Sequence, residues 1–507
     1  MPTYQPTIGL EIHAELKTKT KMFCYSRNDP DEKHPNMNVC PVCMGHPGTL
    51  PVINKEAVTK VILVGLALDG EIPAFSQFDR KNYFYPDLPK GYQISQYEHP
   101  LVKGGHLDIK ITNYKLQITN LKNQNEAAKK IRITRIHLEE DTGRLIHDPE
   151  TKSSLVDFNR AGVPLMELVT EPDFSSGGEV RAFGEELQRI LRYVGASDAN
   201  MEKGQMRVEV NISLRPETRD QRPEKLGTKV EIKNINSFKF AADAIEYEIK
   251  RQSSILERGD KVIQETRGWD ENRGQTFSQR IKEEAHDYRY FPEPDLPPLS
   301  FTREFVESLR ASLPELPEAK RRRFGDEYGI DESIAALLVR NKAVADYYES
   351  VVSELAEHEK EAGERPRQSS ARSAALFLTS QVPGLLEGRV SDMSATAENM
   401  AELIFLLKED KISNLAAKET LKEMFTTGQD PSDIIDEKGL WQVSDASDLE
   451  NIARHIVTEN PDTVKDYGAG KTAALQFLVG QVMKETRGKA NPKVVQDIIR
   501  RLLHDST

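Results

Sequence analysis

At 507 residues, 38% hydrophobic and 30% charged, the chain is too long for one ordinary core, so roughly two to four domains are expected and a wholly disordered chain is excluded. A net charge of -12 excludes general coating of nucleic acid while leaving room for a local basic surface. The longest apolar run near the N-terminus, Val61 to Leu68, is too short to span a bilayer and no charged-then-apolar leader precedes Gly9, so a cytoplasmic protein with no membrane partner is expected.

The stretch Gly9 to Leu16 alternates, with Leu10, Ile12, Ala14 and Leu16 on one face and Glu11, His13 and Glu15 on the other, the pattern of a half-buried strand. Its polar face repeats every two residues, about 7 Å. It is either a solvated surface or a set of oxygen ligands with one nitrogen, which suits Mg²⁺ or Mn²⁺ better than a closed zinc site. Next come Cys24 and the pair Cys40 and Cys43. Three clustered thiols argue for a metal knuckle or free thiols over a disulfide framework, with His34 and His46 as candidate fourth zinc ligands. Glu56 to Leu68 has helical spacing and stops at Gly70.

From Asp79 to Gln93, two prolines and a glycine interrupt regular structure while Tyr83, Phe84, Tyr85 and Tyr92 are too aromatic for a solvated linker. A rigid loop presenting Arg80, Lys81 and Lys90 is predicted, suited to phosphate, carboxylate or a gated polar passage. His106 to Asp141 turns strongly β, and His137 and Glu139 share a face of its last strand while Glu140 takes the other. Leu155 to Asn159 is also β, and Gly162 and Pro164 turn the chain into a segment where Glu167 sits among Leu165, Met166, Leu168 and Val169. A carboxylate there is on an open face or paired, because burying it alone would be prohibitive.

Amphipathic helices are expected over Glu179 to Tyr193 and Phe238 to Leu256, with strands Met206 to Leu214 and Thr228 to Lys233 between them. The first of these strands puts Arg207, Glu209 and Asn211 on one face. Beyond the proline cluster ending at Pro298 the composition turns to helix formers, with a charged, solvated loop expected over Glu357 to Arg372 and helices over Ser373 to Leu386 and Thr396 to Leu407. A second break falls at Thr426 to Asp433. From Lys471 on, seven basic residues (Lys471, Lys484, Arg487, Lys489, Lys493, Arg500, Arg501) face three acids (Glu485, Asp497, Asp505), a local excess of +4 that is either a solvated helix face or an RNA-facing surface.

End to end, the chain resembles the B subunits of the aspartyl/glutamyl-tRNA amidotransferases. The specific stretches are Gly9 to His13, Asp79 to Gln96, His137 to Asp141, Val156 to Pro172, Gly227 to Phe238, Glu265 to Asp270, Glu283 to Pro298, Phe477 to Lys484 and Arg487 to Pro492. The resemblance implies an α+β fold: a mixed-sheet cradle with helices carrying the active site (1–295), a helical domain (296–430) and a small all-α tail that binds tRNA (431–507). It implies ATP-dependent phosphorylation of the side-chain carboxylate of mischarged Glu-tRNA(Gln) or Asp-tRNA(Asn), then amidation by ammonia channelled from an amidase A subunit, with a small C subunit completing a heterotrimer.

Carried over residue by residue, the resemblance makes His13, Glu139 and Glu167 the Mg²⁺ ligands, with Glu11 and Glu140 beside them in the catalytic set. Lys81, Tyr83 and Lys90 line the ammonia passage, and Cys24, Cys40 and Cys43 are a possible structural Zn²⁺ site. Lys471, Lys484, Arg487, Lys489, Arg500 and Arg501 become candidate tRNA contacts. Two departures stand out: Ser26 occupies a position where many members carry cysteine, and Val208 and Glu209 stand where Cys and Asp are common. The other reading is a tRNA-binding scaffold with a vestigial acid cluster. A ligase acting alone would need its own nucleophile for releasing ammonia from glutamine, and no such set is evident.

Overall fold

The computed structural model describes residues 4–110, 128–148, 150–216, 226–281, 287–363, 368–382, 394–442, 446–486 and 488–504. Strand β1 (Tyr4–Glu15) is the predicted alternating strand, extended toward the N-terminus, with Leu10, Ile12 and Ala14 buried and Glu11, His13 and Glu15 half-buried. The strands that follow are β2 (Phe75–Ser76), β3 (Asp79–Asn82), β4 (Tyr92–Ser95), β5 (Val102–Lys103), β6 (His106–Lys110), β7 (Ala128–Glu140), β8 (Arg144–Asp148), β9 (Ser153–Asp157), β10 (Pro164–Thr170), β11 (Met206–Pro216), β12 (Val230–Ile235), β13 (Glu265–Asp270), β14 (Gln275–Ile281), β15 (Phe291–Pro292) and β16 (Leu299–Ser300).

Nine of these make one mixed sheet in the order β14-β13-β12-β11-β1-β10-β7-β5, with β6 also on β7. Every pairing in it is antiparallel except β12 with β13. One face is apolar. Helices α1 (Lys55–Ala67), α2 (Gly177–Tyr193) and α3 (Phe238–Glu257) join it in a single core that includes Ile12, Val210, Ile62, Phe183, Leu187 and Ile245. Each such side chain, fully buried, contributes about 1.5–3 kcal/mol. The helices start where their caps dictate: Asn54, Ser176 and Ser237 each accept from a backbone N–H of the first turn. At Gly184 a Cβ would overlap the Phe238 ring, so the glycine sets how closely α2 meets α3.

The proline-rich stretch before Pro298 is not a linker. β15 pairs with β3, which pairs with β4, and β16 pairs with β2; Glu293 is buried and accepts from Arg80 Nε and Nη2 at 2.7 and 2.8 Å. Helix α4 (Arg303–Ala311) then lays Phe305, Val306 and Leu309 on the same core, so the first compact unit runs Met1–Leu316 and the second Pro317–Thr507. Residues 282–286 of the Glu283 to Pro298 stretch lie outside the described residues.

The second unit is helical: α5 (Pro317–Tyr328), α6 (Glu332–Val339), α7 (Lys342–Glu361), α8 (Gln368–Gln381), α9 (Ala397–Lys408), α10 (Asn414–Thr427), α11 (Pro431–Lys438), α12 (Ala446–Glu459), α13 (Pro461–Gly468), α14 (Thr472–Glu485) and α15 (Pro492–His504). The solvated loop expected over Glu357 to Arg372 is corrected: α7 continues to Glu361 and α8 begins at Gln368. The reason is Glu359, which is buried, takes a hydrogen bond from the Ser370 hydroxyl and pairs with Lys408 at 2.5 Å, so this charge run is partly an interior polar tie. Residues 383–386 of the expected helix Ser373 to Leu386 lie outside the described residues. Around the second break, Gly428 closes α10 in the left-handed region and Asp430 caps α11 with Pro431 in its first turn. Within this unit Leu449, Leu478, Val495, Ile499 and Leu503 belong to a separate hydrophobic cluster.

Candidate active site

The sheet face opposite the helices carries the polar residues. Cross-strand register sets His137 of β7 opposite Glu167 of β10, Glu167 opposite His13 of β1, and His13 opposite Arg207 of β11. Side chains directly opposite one another lie about 5 Å apart at Cβ. Hence Glu167 bridges the two imidazoles, 3.3 Å from His13 Nε2 and 3.3 Å from His137 Nε2, and Glu139, two residues beyond His137, lies 4.0 and 3.8 Å from them. Candidate ligand atoms of His13, Glu139 and Glu167 all fall within 4.8 Å of one another. Of the two readings open for Glu167, pairing holds: Met166 and Leu168 point into the core and the carboxylate is buried between histidines.

Burial alone would keep these groups neutral, yet the geometry overrides it. Burial opposes the charged form of His137, but Glu167 and Glu139 push its pKa up to about 9, and Glu167 and Glu139 likewise raise His13. Against the same burial, His137 and Lys81 hold Glu139 below the ordinary carboxylate value, and the two histidines hold Glu167 well below it. The cluster therefore demands positive charge. His137 Nδ1 is also buried with no hydrogen-bond partner among the described residues. Two carboxylates and one imidazole nitrogen within a single ion's reach fit a hard divalent cation such as Mg²⁺.

The adjacent glutamates divide. Glu139 joins the cluster and accepts from Ser95 Oγ at 3.0 Å; Glu140, on the other side of β7, pairs with Lys90 Nζ at 2.5 Å and accepts the Ile94 N–H at 3.0 Å. Strand β4 continues this partition. Gln93 takes the Tyr83 hydroxyl and pairs across the ribbon with Lys81, whose charge is set against burial by Glu139 and Glu167, while Tyr92 and Ile94 face a cavity of about 200 Å³ with Lys90, Glu140, Cys24, Cys43 and His46. Lys81 and Tyr83 thus sit on the cluster side and Lys90 on the cavity side. Arg80 is spent on Glu293 and lies 4.2 Å from the Tyr92 ring centre.

Glu11 lies along β1 from His13 and accepts from Asn211 at 2.9 Å; burial raises its pKa, helped by Glu167 and Glu209. Glu209 pairs with Lys233 at 2.9 Å. A further set escaped the sequence reading: Glu15, which burial and Asp141 push up to about 8, next to Asp141, itself paired with Arg207 at 2.9 Å and 3.6 Å from Arg160. Period two on β1 pointed to Glu15, but its partners come from β11 and two loops.

The three thiols do converge within one ion's reach. Neither His34, which is exposed and bonded to Glu32, nor His46 is within that set among the described residues. Instead Lys21, wholly buried, lies 3.8 Å from Cys43 Sγ and 3.2 Å from the Phe158 carbonyl, and Ser26 Oγ lies 3.9 Å from the same sulfur. The Cys24 thiol, Lys21 and the Cys40 amide hold Cys43 well below the ordinary thiol value. A protonated amine cannot ligate zinc, so the set supplies three of four tetrahedral positions.

In the tail, Lys471 pairs with Asp466 at 2.9 Å, Arg501 with Glu450 at 2.5 Å and Arg500 with Asp497 at 3.9 Å. Lys484 and Lys493 are exposed, Lys489 half-exposed, and none of the three has an ion-pair partner among the described residues, while Arg487 lies outside them. The basic excess is thus partly neutralised within the tail.

Fold and site together define a catalytic domain on an acid-lined sheet: a family model described as the GatB/GatE catalytic domain matches residues 6–307, and one described as the GatB domain matches residues 343–503. Proteins named as B subunits of the aspartyl/glutamyl-tRNA(Asn/Gln) amidotransferase are similar over the whole length. Those of Persephonella marina (48% identical, 99% of each chain), Carboxydothermus hydrogenoformans (45%, 99% of each) and Dehalococcoides mccartyi (44%, 100% of each) are examples. The chain belongs to the family of these B subunits.

Proposed function

We propose that this chain phosphorylates, at the expense of ATP, the side-chain carboxylate of a glutamate or aspartate esterified to tRNA(Gln) or tRNA(Asn), and that ammonia then displaces the phosphate to leave the amide. The observation that carries this reading is the convergence of His13, Glu139 and Glu167 from three strands. A carboxylate is a poor acyl donor. Transfer of the γ-phosphoryl group to it, with ADP leaving, gives an acyl phosphate, and attack of ammonia on the acyl carbon expels inorganic phosphate as one proton is lost. His13, Glu139 and Glu167 would hold Mg²⁺, with Glu11 and Glu140 flanking them, and the ion when bound neutralises charge collecting on the phosphoryl oxygens. Lys81 adds a fixed cation on the same side, and His137, bonded to Glu167, orients that carboxylate.

Ammonia comes from an amidase A subunit, with a small C subunit completing the assembly. It enters by the cavity beside Lys90 and passes to Lys81 and Tyr83, the Lys90–Glu140 pair forming the closure between. That pair can open without stranding a charge only if the two part toward other partners or water. The tail (431–507) holds the tRNA body through Lys484 and Lys489, with Lys471, Arg500 and Arg501 contributing once their local pairs exchange and Arg487, outside the described residues, kept as a candidate from the sequence, while the cradle (1–295) and helical domain (296–430) complete the division of labour. The three thiols would hold structural Zn²⁺ with a fourth ligand from solvent, which metal analysis of the purified complex tests. No helix of the described residues is long and apolar enough to cross a membrane, in keeping with work in the cytoplasm.

His13→Ala tests the reading. Amidated tRNA should vanish with glutamine or ammonium as donor while the partner's glutaminase activity persists; full activity with ammonium would overturn it. Assaying each mischarged tRNA separately identifies the natural substrate.

A further inference from the structure

Beside the carboxylate cluster, five tyrosines from three distant segments form a continuous arc. Ring centres run from Tyr85 to Tyr83 (6.0 Å), Tyr83 to Tyr288 (5.9 Å), Tyr288 to Tyr290 (6.1 Å) and Tyr290 to Tyr97 (4.4 Å). The arc curves round Lys81, whose Nζ is 5.7 Å from the Tyr83 ring and 5.1 Å from Tyr288, and whose charge faces Glu139 and Glu167. Its backbone is pinned. Asn82 donates from its amide N–H to the Tyr288 carbonyl and from its side chain to the Arg289 carbonyl, and the Tyr97 N–H bonds Asp79. The inner rings are half-buried, but the two ends are open, Tyr85 being 56% and Tyr97 51% exposed. Rings of this size so exposed, on a backbone so fixed, are not explained by packing.

We propose that the open ends of this arc stack the unpaired 3′ end of the substrate tRNA, Tyr97 taking the terminal adenine and Tyr85 a neighbouring base. This rests on the function proposed above and names how that substrate is held. Tyr97 and Tyr290 are already face to face, 10° from parallel, so the free face of Tyr97 offers a third ring a continuing stack. Base stacking on aromatic side chains is the general way proteins hold single-stranded RNA. The number of open faces decides between adenines. ATP carries one base, whereas the unpaired 3′ end of tRNA carries several, enough to occupy both Tyr97 and Tyr85. The adenine at the arc is therefore that of tRNA. Arg289, exposed on the turn between Tyr288 and Tyr290 and without an ion-pair partner among the described residues, supplies a cation for the RNA backbone.

The test uses the co-expressed complex with ammonium as nitrogen donor, so that ammonia transfer does not enter. Tyr97→Leu should raise the KM for mischarged tRNA about tenfold with the KM for ATP unchanged, and Tyr97→Phe should stay near the unaltered protein. Binding of uncharged tRNA is measured in parallel, with and without its terminal adenosine. Removing that nucleotide should weaken binding to the unaltered complex and make no difference with Tyr97→Leu. A rise in the KM for ATP instead, no change in either constant, or failure of the phenylalanine variant to restore affinity would each overturn the proposal. Because the binding arm needs no turnover, it decides the matter even if the amidation reading fails.

Discussion

Replacing Lys90 by methionine isolates the pair that closes the cavity from the cluster side. The Lys90 Nζ lies 2.5 Å from one Glu140 oxygen, with side chains 13% and 3% exposed. At an effective dielectric constant of about 20 the attraction is of order 6 kcal/mol, most of it offset by desolvation of both charges. Removing only the cation leaves Glu140 buried with the Ile94 N–H as its remaining side-chain donor, at a cost of about 3–5 kcal/mol. Adding Glu140→Gln should restore most of that loss, because the amide oxygen still accepts from Ile94 and no charge is stranded. Urea unfolding of the four members of the cycle gives the coupling. The chain has two tryptophans, Trp269 in the first unit and Trp441 in the second, so a Trp441→Phe background lets Trp269 report the relevant unit alone. Additive single effects, with a coupling below about 1 kcal/mol, would refute the argument that the pair is an energetic closure. In turnover, Lys90→Met should impair amidation with glutamine more than with external ammonium; equal losses would move Lys90 to substrate binding.

In metal-free protein His137, held at about 9 against an ordinary 6.5, stabilises the fold fully below pH 6.5 and loses that contribution as pH rises through 9, about 3 kcal/mol at 1.36 kcal/mol per unit. Glu15, held at about 8, acts in the same direction, whereas Cys43, held well below the ordinary thiol value, acts oppositely, so the readout is the difference: from pH 6 to 10 the urea midpoint of Glu167→Gln should lose less than that of the unaltered protein, and an equal change in both would contradict the cluster's electrostatics. Gly184→Ala should cost about 1–3 kcal/mol by forcing α2 and α3 apart at Phe238, read as a lower midpoint of the first unit, and an unchanged midpoint would show the helices free to shift. Deleting the tail should raise the KM for mischarged tRNA roughly ten- to a hundredfold and flatten the salt dependence of tRNA binding, leaving tRNA-independent glutaminase activity nearly unchanged. An unaltered salt slope would make Lys484, Lys489 and Lys493 a solvated surface.

Local periodicity made β1 and the end of β7 legible, because a strand with one buried face declares which side chains share the other. The sequence also separated Glu139 from Glu140, though only the β4 contacts show what each one meets. What could not be read arises between segments remote in the chain. The alternation on β7 put His137 on the Glu139 face, but its bond to Glu167 depends on the β7–β10 register, and Lys21 became visible as a neighbour of Cys43 only once the N-terminal turn folded over the thiols. The Glu283 to Pro298 stretch read as a boundary because proline clusters end regular elements, yet Phe291 and Glu293 within it tie it to β3. The Glu357 to Arg372 run read as solvated for want of any signal that Lys408 would meet Glu359.

The back-to-back placement of Glu139 and Glu140 limits what changes of length this chain can absorb. Consecutive residues of a strand exchange sides whenever its register slips by one. An insertion or deletion of one residue within the paired part of β7 would bring Lys90's carboxylate to the histidines and turn the histidines' carboxylate toward the cavity, so conservative point substitutions there are far easier to accommodate than any change of length. A change of length should be easier to absorb in the β8–β9 hairpin, whose strands pair only with each other among the described residues. At this site the parity of strand length, as much as residue identity, decides which carboxylate meets the histidines.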